Sequence, residues 1–395
     1  MIRCLRRAVV GLLLLAGPLA AQQEIEFRER QLQAGPWKFD NFPYFTVTPN
    51  DGFMFIGRAQ YGQAADFLDR VSMARRIALE GGLSPSGSRF ASLRVDAPRL
   101  APGWRLASEF RLERANRFGF YGPGNTTGET ERTEDEPFGD RVRRRGTTAR
   151  LEVTRTLTGP LALAVAGGTG STRWTALPGP SAFADRHFDD DFKEPDTWGR
   201  VALVLDLRDN EFEPTRGALV EGGVYRGSGS DGYTGGYAIA SGFVQPAFGM
   251  VVAARIGGRS LTSDAPLAAR FGIPAWERDL SVLGGPGSHR SLAVGRFLGH
   301  DVLFGSLEVR QMIIDAGDFG GVYGLAFVDA GRVFDYDLVM DAPPPREPFR
   351  LTTAGLKVGG GVGLGIRILR ANIAAFSIAT GPDGVKVMVG SGWSF

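Results

Sequence analysis

The sequence predicts an all-β fold, a transmembrane antiparallel β-barrel of about 16 strands with a long loop folded into its lumen. Several segments alternate strictly between apolar and polar residues, their polar positions carry dense mixed charge, and tight turns alternate with long polar loops. A period of two marks a strand with one apolar and one polar face. A soluble sandwich shares that alternation, but the charged inner face and the alternating loop lengths favour a membrane barrel.

The N-terminus resembles a secretory signal peptide over residues 1–21. Three arginines precede an apolar run at residues 8–19, which is followed by small residues. That run is too short for a permanent spanning helix, so we expect cleavage and export. The single cysteine, Cys4, lies within the signal. We therefore expect a mature chain without disulfides or thiolate chemistry.

The remaining chain divides into a short N-terminal segment, residues 22–45, which we expect to be a plug or a tail, and a barrel, residues 46–395. At about 22 residues per strand and connection, the barrel part has room for about 16 strands, and bacterial barrels have an even number. Lys and Arg number 45 against 43 Asp and Glu, so the net charge indicates no general polyanion-binding role.

The alternating segments read as strands with one face for lipid and one for the lumen. In residues 105–113 the charged positions Arg105, Glu109, Arg111 and Glu113 share one face, and mainly apolar residues share the other. The same period recurs at residues 149–154, 202–208 and 385–395. The turn at residues 158–160 is tight, whereas residues 119–147 and 172–196 read as long polar loops.

A glycine-rich stretch in the second half of the chain carries Arg290 toward two alternating strands. Glu308 shares a face with Ser306 and Arg310 on the first strand, and Asp329 lies among aromatic and apolar residues on the second. One arginine on a long loop and two acids on neighbouring strands predict a loop tied down inside a closed sheet, because a guanidinium fork suits two carboxylates.

Several ordered segments resemble those of a known family. They are an aromatic first strand at 42–57, an aromatic-Gly-x-Gly-Asn loop at 119–127, a turn with Asp206, Arg208, Asp209, Pro214 and Gly217, the glycine-rich loop before Arg290, and the strands around Glu308 and Asp329. Over residues 42–395 the chain resembles the BamA/TamA-like outer-membrane assembly-factor superfamily, also called bacterial surface antigens. The resemblance implies a barrel in the outer membrane of a Gram-negative-type envelope, with both termini periplasmic.

The resemblance also implies roles for individual residues. Arg290 corresponds to the tip of the family's lumen loop, held by Glu308 and Asp329. The family's glycine and aromatic residue after that arginine are replaced by Ser291 and Leu292. The last strand resembles the family's assembly signal, with Gly390, Trp393 and Phe395 in a Gly-x-x-aromatic-x-aromatic ending. From the alternation we expect Val385, Val387, Val389, Trp393 and Phe395 to share the lipid-facing side.

The implied function is insertion or translocation of proteins at the outer membrane, through a weak seam between the first and last strands. Gly57 and the pair Gly390 and Gly392 would loosen that seam. The family's insertases capture clients with POTRA domains, for which we find no residues here, so we expect a periplasmic partner to supply them. The alternatives are a passive transport pore and a partner-docking or structural barrel that is oligomeric.

Other partners follow from location and charge. We expect contact with outer-membrane lipid and lipopolysaccharide, whose phosphates would suit Arg141, Arg143, Arg144 and Arg145, although a solvated cluster fits these residues equally well. Nucleic acid is not expected. The three histidines have no metal-binding spacing, and the acidic run 189–191 reads as a solvated loop face. We predict no catalytic residues, no metal and no cofactor.

Overall fold

The structure is a computed structural model. It describes residues 34–48, 51–66, 69–125, 127–128, 138–186, 191–229, 231–262, 264–334, 353–368 and 372–395. The predicted signal peptide, residues 22–33 and most of the acidic run 189–191 lie outside the described residues. Among the described residues, no helix is long and apolar enough to cross a bilayer.

A 16-stranded antiparallel sheet makes up the molecule, and each strand pairs with its neighbours in chain order. Its strands are β1 (Trp37–Thr48), β2 (Gly52–Ala64), β3 (Met73–Leu83), β4 (Arg89–Ala101), β5 (Trp104–Gly119), β6 (Arg141–Thr158), β7 (Leu161–Ala176), β8 (Asp191–Asp206), β9 (Gly217–Gly227), β10 (Tyr233–Ala247), β11 (Met250–Leu261), β14 (Asp301–Asp315), β15 (Gly320–Phe334), β16 (Lys357–Ile368), β17 (Asn372–Gly381) and β18 (Gly384–Ser391). The predicted strand number is confirmed.

The connection between β11 and β14 carries secondary structure of its own. It contains one helical turn, α1 (Leu267–Arg270), and a two-stranded hairpin of β12 (Gly272–Ile273) and β13 (Leu280–Ser281). Short 3₁₀ turns lie at Ala184–Arg186 and Gly317–Phe319.

The first strand differs from the sequence prediction at both ends, because the predicted strand 42–57 covers the last part of one strand and the first part of the next. β1 starts at Trp37, so the boundary at residue 46 is too late, and residues 37–45 belong to the barrel. β1 is paired with β2 along its whole length, from Trp37 opposite Gln63 to Thr48 opposite Gly52. Its alternate positions Phe39 and Phe45 are 64% and 60% exposed, as expected of side chains that face lipid.

The outer surface carries apolar side chains at every second position. On β14, β15 and β16, Leu307, Val328 and Val362 are 51%, 50% and 61% exposed, whereas Glu308 and Asp329 beside them are 1% exposed. In water such a surface would be costly, and in a bilayer it is required. The chain is therefore a transmembrane β-barrel of the outer membrane.

The long connections all lie at one end of the barrel. They join β5 to β6, β7 to β8, β11 to β14 and β15 to β16, whereas the two-residue connections after β4, β6 and β10 lie at the other end. Long loops mark the outer end of such barrels, and short turns mark the periplasmic end. The first two long loops span 120–140 and 177–190, shorter than predicted because their flanking strands extend further.

The charge pattern predicts a water-filled interior. The outer half of the lumen instead holds a hydrophobic core. Ile273, Val282 and Leu283 of the β11–β14 loop are fully buried against wall residues such as Phe304 and Val333. Burial of this apolar surface stabilises the loop inside the barrel.

Among the described residues, no ladder of backbone hydrogen bonds closes the sheet. Among the described residues, β1 and β18 are the two ends of the strand order. They still come close, since the Thr46 hydroxyl donates a hydrogen bond of 2.9 Å to the Val389 carbonyl. Gly57 lies one strand away from this seam, on β2, between Pro43 and Gly81.

Candidate functional site

The tip of the β11–β14 loop is a tight turn that depends on glycine. Gly284 and Gly285 have φ values of 127° and 90°. A Cβ atom on Gly284 would also collide with the carbonyl oxygen of Ala293. The Ser288 hydroxyl accepts a hydrogen bond of 3.0 Å from the Gly284 amide, and the Gly285 amide donates one of 3.0 Å to the Leu292 carbonyl. This turn presents Arg290 to the barrel wall.

Arg290 is held by the two acids that the sequence singles out. Its Nε and Nη2 donate to the two oxygens of Asp329 at 2.9 and 2.8 Å, and its backbone amide donates to Asp329 Oδ2 at 2.8 Å. Its Nη1 donates to Glu308 Oε2. The residues Arg290, Glu308 and Asp329 are 4%, 1% and 1% exposed, so the ion pairs are shielded from water. A lysine has no comparable fork of donors.

Two further side chains complete this cluster. Arg310 Nε donates to the other oxygen of Glu308 at 2.6 Å, so that carboxylate is shared by two guanidinium groups. The Arg290 guanidinium lies 3.5 Å from the ring centre of Phe327, on the same strand as Asp329. Cation–π contact thus adds to the ion pairs.

The structure explains the departures from the family pattern after Arg290. Ser291 lies over the inner faces of β16 and β17, where Gly359 and Gly381 leave room for its side chain. Leu292 is fully buried in the hydrophobic core of the lumen. The aromatic contact comes from Phe327 of the wall, so the loop tip itself needs no ring.

Sequence reasoning missed Gly359, Gly381 and Phe327 as part of this site. The alternating glycines from 359 to 365 were a usable signal, because a strand with glycine on one face accepts close packing. His289 also belongs here, since its Nε2 lies 3.0 Å from the Lys357 carbonyl oxygen and its Nδ1 lies 3.2 Å from the Ser291 hydroxyl.

The chain end does not follow the predicted outward face. Val385 and Val387 are 68% and 44% exposed, but Trp393 is 7% exposed. Gly392 has φ of 81° and turns the chain inward after β18. A strand that continued straight would carry Trp393 and Phe395 to the lipid side, so the turn is the physical reason for the difference.

Lumen arginines hold the inward-turned end. Arg310 Nη2 donates to the Phe395 carbonyl at 2.9 Å, and Arg255 Nη1 donates to the Ser394 carbonyl at 3.0 Å. The Trp393 ring packs edge-on against Tyr323 with ring centres 5.3 Å apart. Because Arg310 also bonds Glu308, the chain end and the loop anchor are parts of one network.

The family turn motif forms the connection between β8 and β9. Asp206 accepts two hydrogen bonds from Arg208, of 2.9 and 3.0 Å. Asp209 Oδ1 accepts from the amides of residues 215 and 216 at 2.9 and 3.1 Å. Pro214 is buried, and Gly217 has φ of 97° with the Leu207 carbonyl where a Cβ would lie. All of these contacts lie within the β8–β9 connection and the two strand ends beside it, so the geometry of the turn explains these motif residues.

Glu211, inside that motif, reaches across the periplasmic end of the lumen. Arg105 of β5 donates two hydrogen bonds to its carboxylate, of 2.8 and 2.7 Å. Burial favours the neutral acid and the Arg105 guanidinium favours the carboxylate, and the pKa of Glu211 falls from its usual 4.5 to about 2. Phe212 packs beside Tyr323 and Trp393. The motif therefore connects the turn to β5, three strands away in the sheet, and to the hydrophobic cluster that contains Trp393.

Two solved structures share this architecture. BamA from Haemophilus ducreyi lacking POTRA domains 1-3 aligns with a TM-score of 0.56 at 14% identity, over 91% of this chain and 70% of that chain. CdiB from Escherichia coli aligns with a TM-score of 0.57 at 13% identity, over 93% of this chain and 68% of that chain. No protein-family model matches the sequence, and no curated protein matches it.

Fold and site together define the class. The chain is an outer-membrane β-barrel with the fold that the BamA and CdiB barrels share, and a loop reaches from its outer end into the lumen.

Proposed function

We propose that this barrel aids the insertion or translocation of proteins at the outer membrane, and that its seam is where a client strand engages. The observation that carries the proposal is the edge between β1 and β18, which lacks a ladder of backbone hydrogen bonds among the described residues. Strand edges with free amides and carbonyls are templates for pairing with another strand.

The anchored loop supports the same function. Arg290, Glu308 and Asp329 hold the loop inside the lumen, and we propose that this keeps the wall next to the seam in place while β1 and β18 separate. A buried ion-pair cluster of this kind fixes position more than it adds net stability. The alternative of a passive pore has less support, because the loop and the chain end both occupy the lumen.

The proposed role includes a periplasmic partner with POTRA-like domains that captures clients. The short turns and the chain end at the periplasmic side are the surface that such a partner would reach. Cross-linking from the β8–β9 turn, for example through Asn210→Cys, followed by identification of the captured protein, tests this part. Recovery of no periplasmic protein with such domains would count against it.

The seam is tested with protein refolded into liposomes. The Thr46→Cys/Gly390→Cys variant places two cysteines on the lumen-facing side of the seam, beside the 2.9 Å hydrogen bond from the Thr46 hydroxyl to the Val389 carbonyl oxygen, so that oxidation can cross-link β1 to β18. We expect the unmodified protein to accelerate folding of an added small barrel protein, and the oxidised variant to lose that acceleration until it is reduced.

A matched control places the disulfide elsewhere in the wall. Val165 and Val201 are register partners on β7 and β8, so Val165→Cys/Val201→Cys adds the same cross-link away from the seam. This control should accelerate client folding in both redox states. Equal acceleration by the oxidised seam variant would refute the seam, and ion conductance without any acceleration would favour the pore.

A further inference from the structure

The outward face of the barrel carries a continuous row of basic residues that crosses five neighbouring strands. Each is the direct register partner of the next across four strand pairs. The row consists of Arg89 on β4, Arg114 on β5, Arg145 on β6, Arg173 on β7 and Lys193 on β8. With strands about 4.8 Å apart, it extends about 19 Å around the barrel.

The row faces away from the lumen. On β5, Arg114 shares its side with Phe110 and Leu112, which are 45% and 44% exposed, whereas Glu113 points inward to Arg144. Of the four arginines at 141–145, only Arg143 and Arg145 are therefore on the outside. Arg141 donates to the Tyr121 hydroxyl at 2.9 Å, and Arg144 bonds Glu113.

The height of Arg114 matches the outer-leaflet headgroups. On β5 the outward face begins at Trp104 near the periplasmic end, ten positions before Arg114. Ten residues at about 3.3 Å each, tilted by about 40°, rise by about 25 Å, the height of the apolar band of such barrels. Arg114 thus lies where the band meets the outer polar layer, at the end with the long loops.

Among the described residues, acids compensate this charge only at one end of the row. The described charged groups that act on Arg114 are basic, namely Arg145, Arg143 and Arg89. Within the described residues, the acid that meets the row is Asp191, 3.2 Å from Arg173 at its far end. Like charges directly opposite each other on a sheet are destabilising. An anion bound between these basic groups would offset their repulsion.

We propose that this row is a binding site for a bisphosphorylated glycolipid of the outer leaflet, with the phosphates of lipid A held between neighbouring guanidinium groups. Arginine binds phosphate through paired charge-assisted hydrogen bonds. The acyl chains of the same lipid lie against the apolar band below, beside Leu112 and Phe110. The site is independent of the seam, and it rests only on the outer-membrane location.

The test titrates the purified full-length barrel in detergent with lipid A and measures bound lipid by native mass spectrometry. The Arg114→Gln/Arg145→Gln variant should bind lipid A about thirtyfold more weakly than the wild type, because each basic group near an anionic surface contributes about 1 kcal/mol. The control, Arg75→Gln/Arg155→Gln, removes two outward arginines at the periplasmic end and should bind like the wild type.

Three outcomes would overturn the proposal: equal binding by both variants, equal wild-type affinity for lipid A and for its dephosphorylated form, or full displacement by inorganic phosphate at lipid-equivalent concentration. The comparison of lipid A with its dephosphorylated form uses only the wild-type protein, so it remains a valid test even if the double substitution impairs folding. The double variant also removes the repulsion between Arg114 and Arg145, and thermal stability measures that effect. In lipid-A-free micelles the double variant should unfold at the same or a higher temperature than the wild type.

Discussion

At the scale of single residues, the loop anchor depends on the geometry of a guanidinium group. Arg290 directs three N–H groups of its side chain and its backbone amide at two carboxylates, in a position that is 4% exposed. Ser291 next to it requires an inner wall without Cβ atoms at Gly359 and Gly381. Both contacts lead to predictions.

We expect Arg290→Ala to destabilise the barrel by about 3–5 kcal/mol, because it leaves Glu308 and Asp329 buried without their cation. Arg290→Lys should recover only part of that loss, since an ammonium group cannot bridge both acids. The measurement is the temperature at which the folded band disappears in heat-modifiable electrophoresis. Unchanged midpoints for both variants would contradict the anchor, and Arg216→Ala on an exposed turn serves as control.

Gly381→Ala should displace the loop tip, because the new Cβ would lie 2.8 Å from Ser291 Cβ and closer still to its hydroxyl. Ser291→Gly in the same chain removes both atoms and should restore stability. A double-mutant cycle on thermal midpoints measures this coupling. Additive effects of the two substitutions would show that the side chain of Ser291 does not occupy the space beside Gly359 and Gly381.

At the scale of elements, the end of β18 is defined by one residue. Gly392 adopts a left-handed conformation, and no atom lies within 4 Å of where its Cβ would be. A side chain there meets a conformational penalty but no steric one. The inward path of Trp393 therefore depends on the backbone of Gly392.

Gly392→Val should drive the chain end into an extended conformation and carry Trp393 out of the lumen. Quenching of tryptophan fluorescence by brominated lipid should then increase, with Trp393→Phe providing the background. Gly390→Ala should leave quenching unchanged, because no strained φ and no close contact oppose its Cβ. Equal quenching in Gly392→Val and the wild type would mean that Trp393 stays inside.

At the scale of the whole molecule, separate parts of the barrel wall are connected through the lumen. The β8–β9 turn reaches β5 through Glu211 and Arg105, and it reaches the chain end through Phe212. Arg310 continues the connection from the chain end to the loop anchor. The outer and periplasmic parts of the lumen are therefore one connected structure.

The Glu211 contact predicts a dependence of stability on pH. Because its pKa is about 2 in the folded barrel and near 4.5 ordinarily, the carboxylate contributes stability above pH 4.5 that is lost as the pH falls toward 2. Thermal midpoints between pH 7 and pH 2 should fall more steeply for the wild type than for Glu211→Gln. Parallel curves would contradict a stabilising role for this ionised group.

The sequence by itself determined the features that repeat along one strand or close one turn. Chain length predicted the strand number, and alternation predicted the inward faces of Glu308 and Asp329. The turn from Asp206 to Gly217 follows from local side-chain and glycine requirements. The pairing of Arg290 with Glu308 and Asp329 could be predicted because buried charged groups need partners of opposite charge, and these three side chains have few other partners.

Only the tertiary structure decided what depends on neighbouring strands. The structure shows that the first strand starts at Trp37 and that Trp393 lies in the lumen. It also shows that Glu211 contacts Arg105, and that the arginines at 141–145 lie on both faces of the sheet. The row from Arg89 to Lys193 comes from five strands of different lengths. The physical reason is register: alternation fixes the face of a residue, but its height and neighbours are set by how each strand pairs with the next.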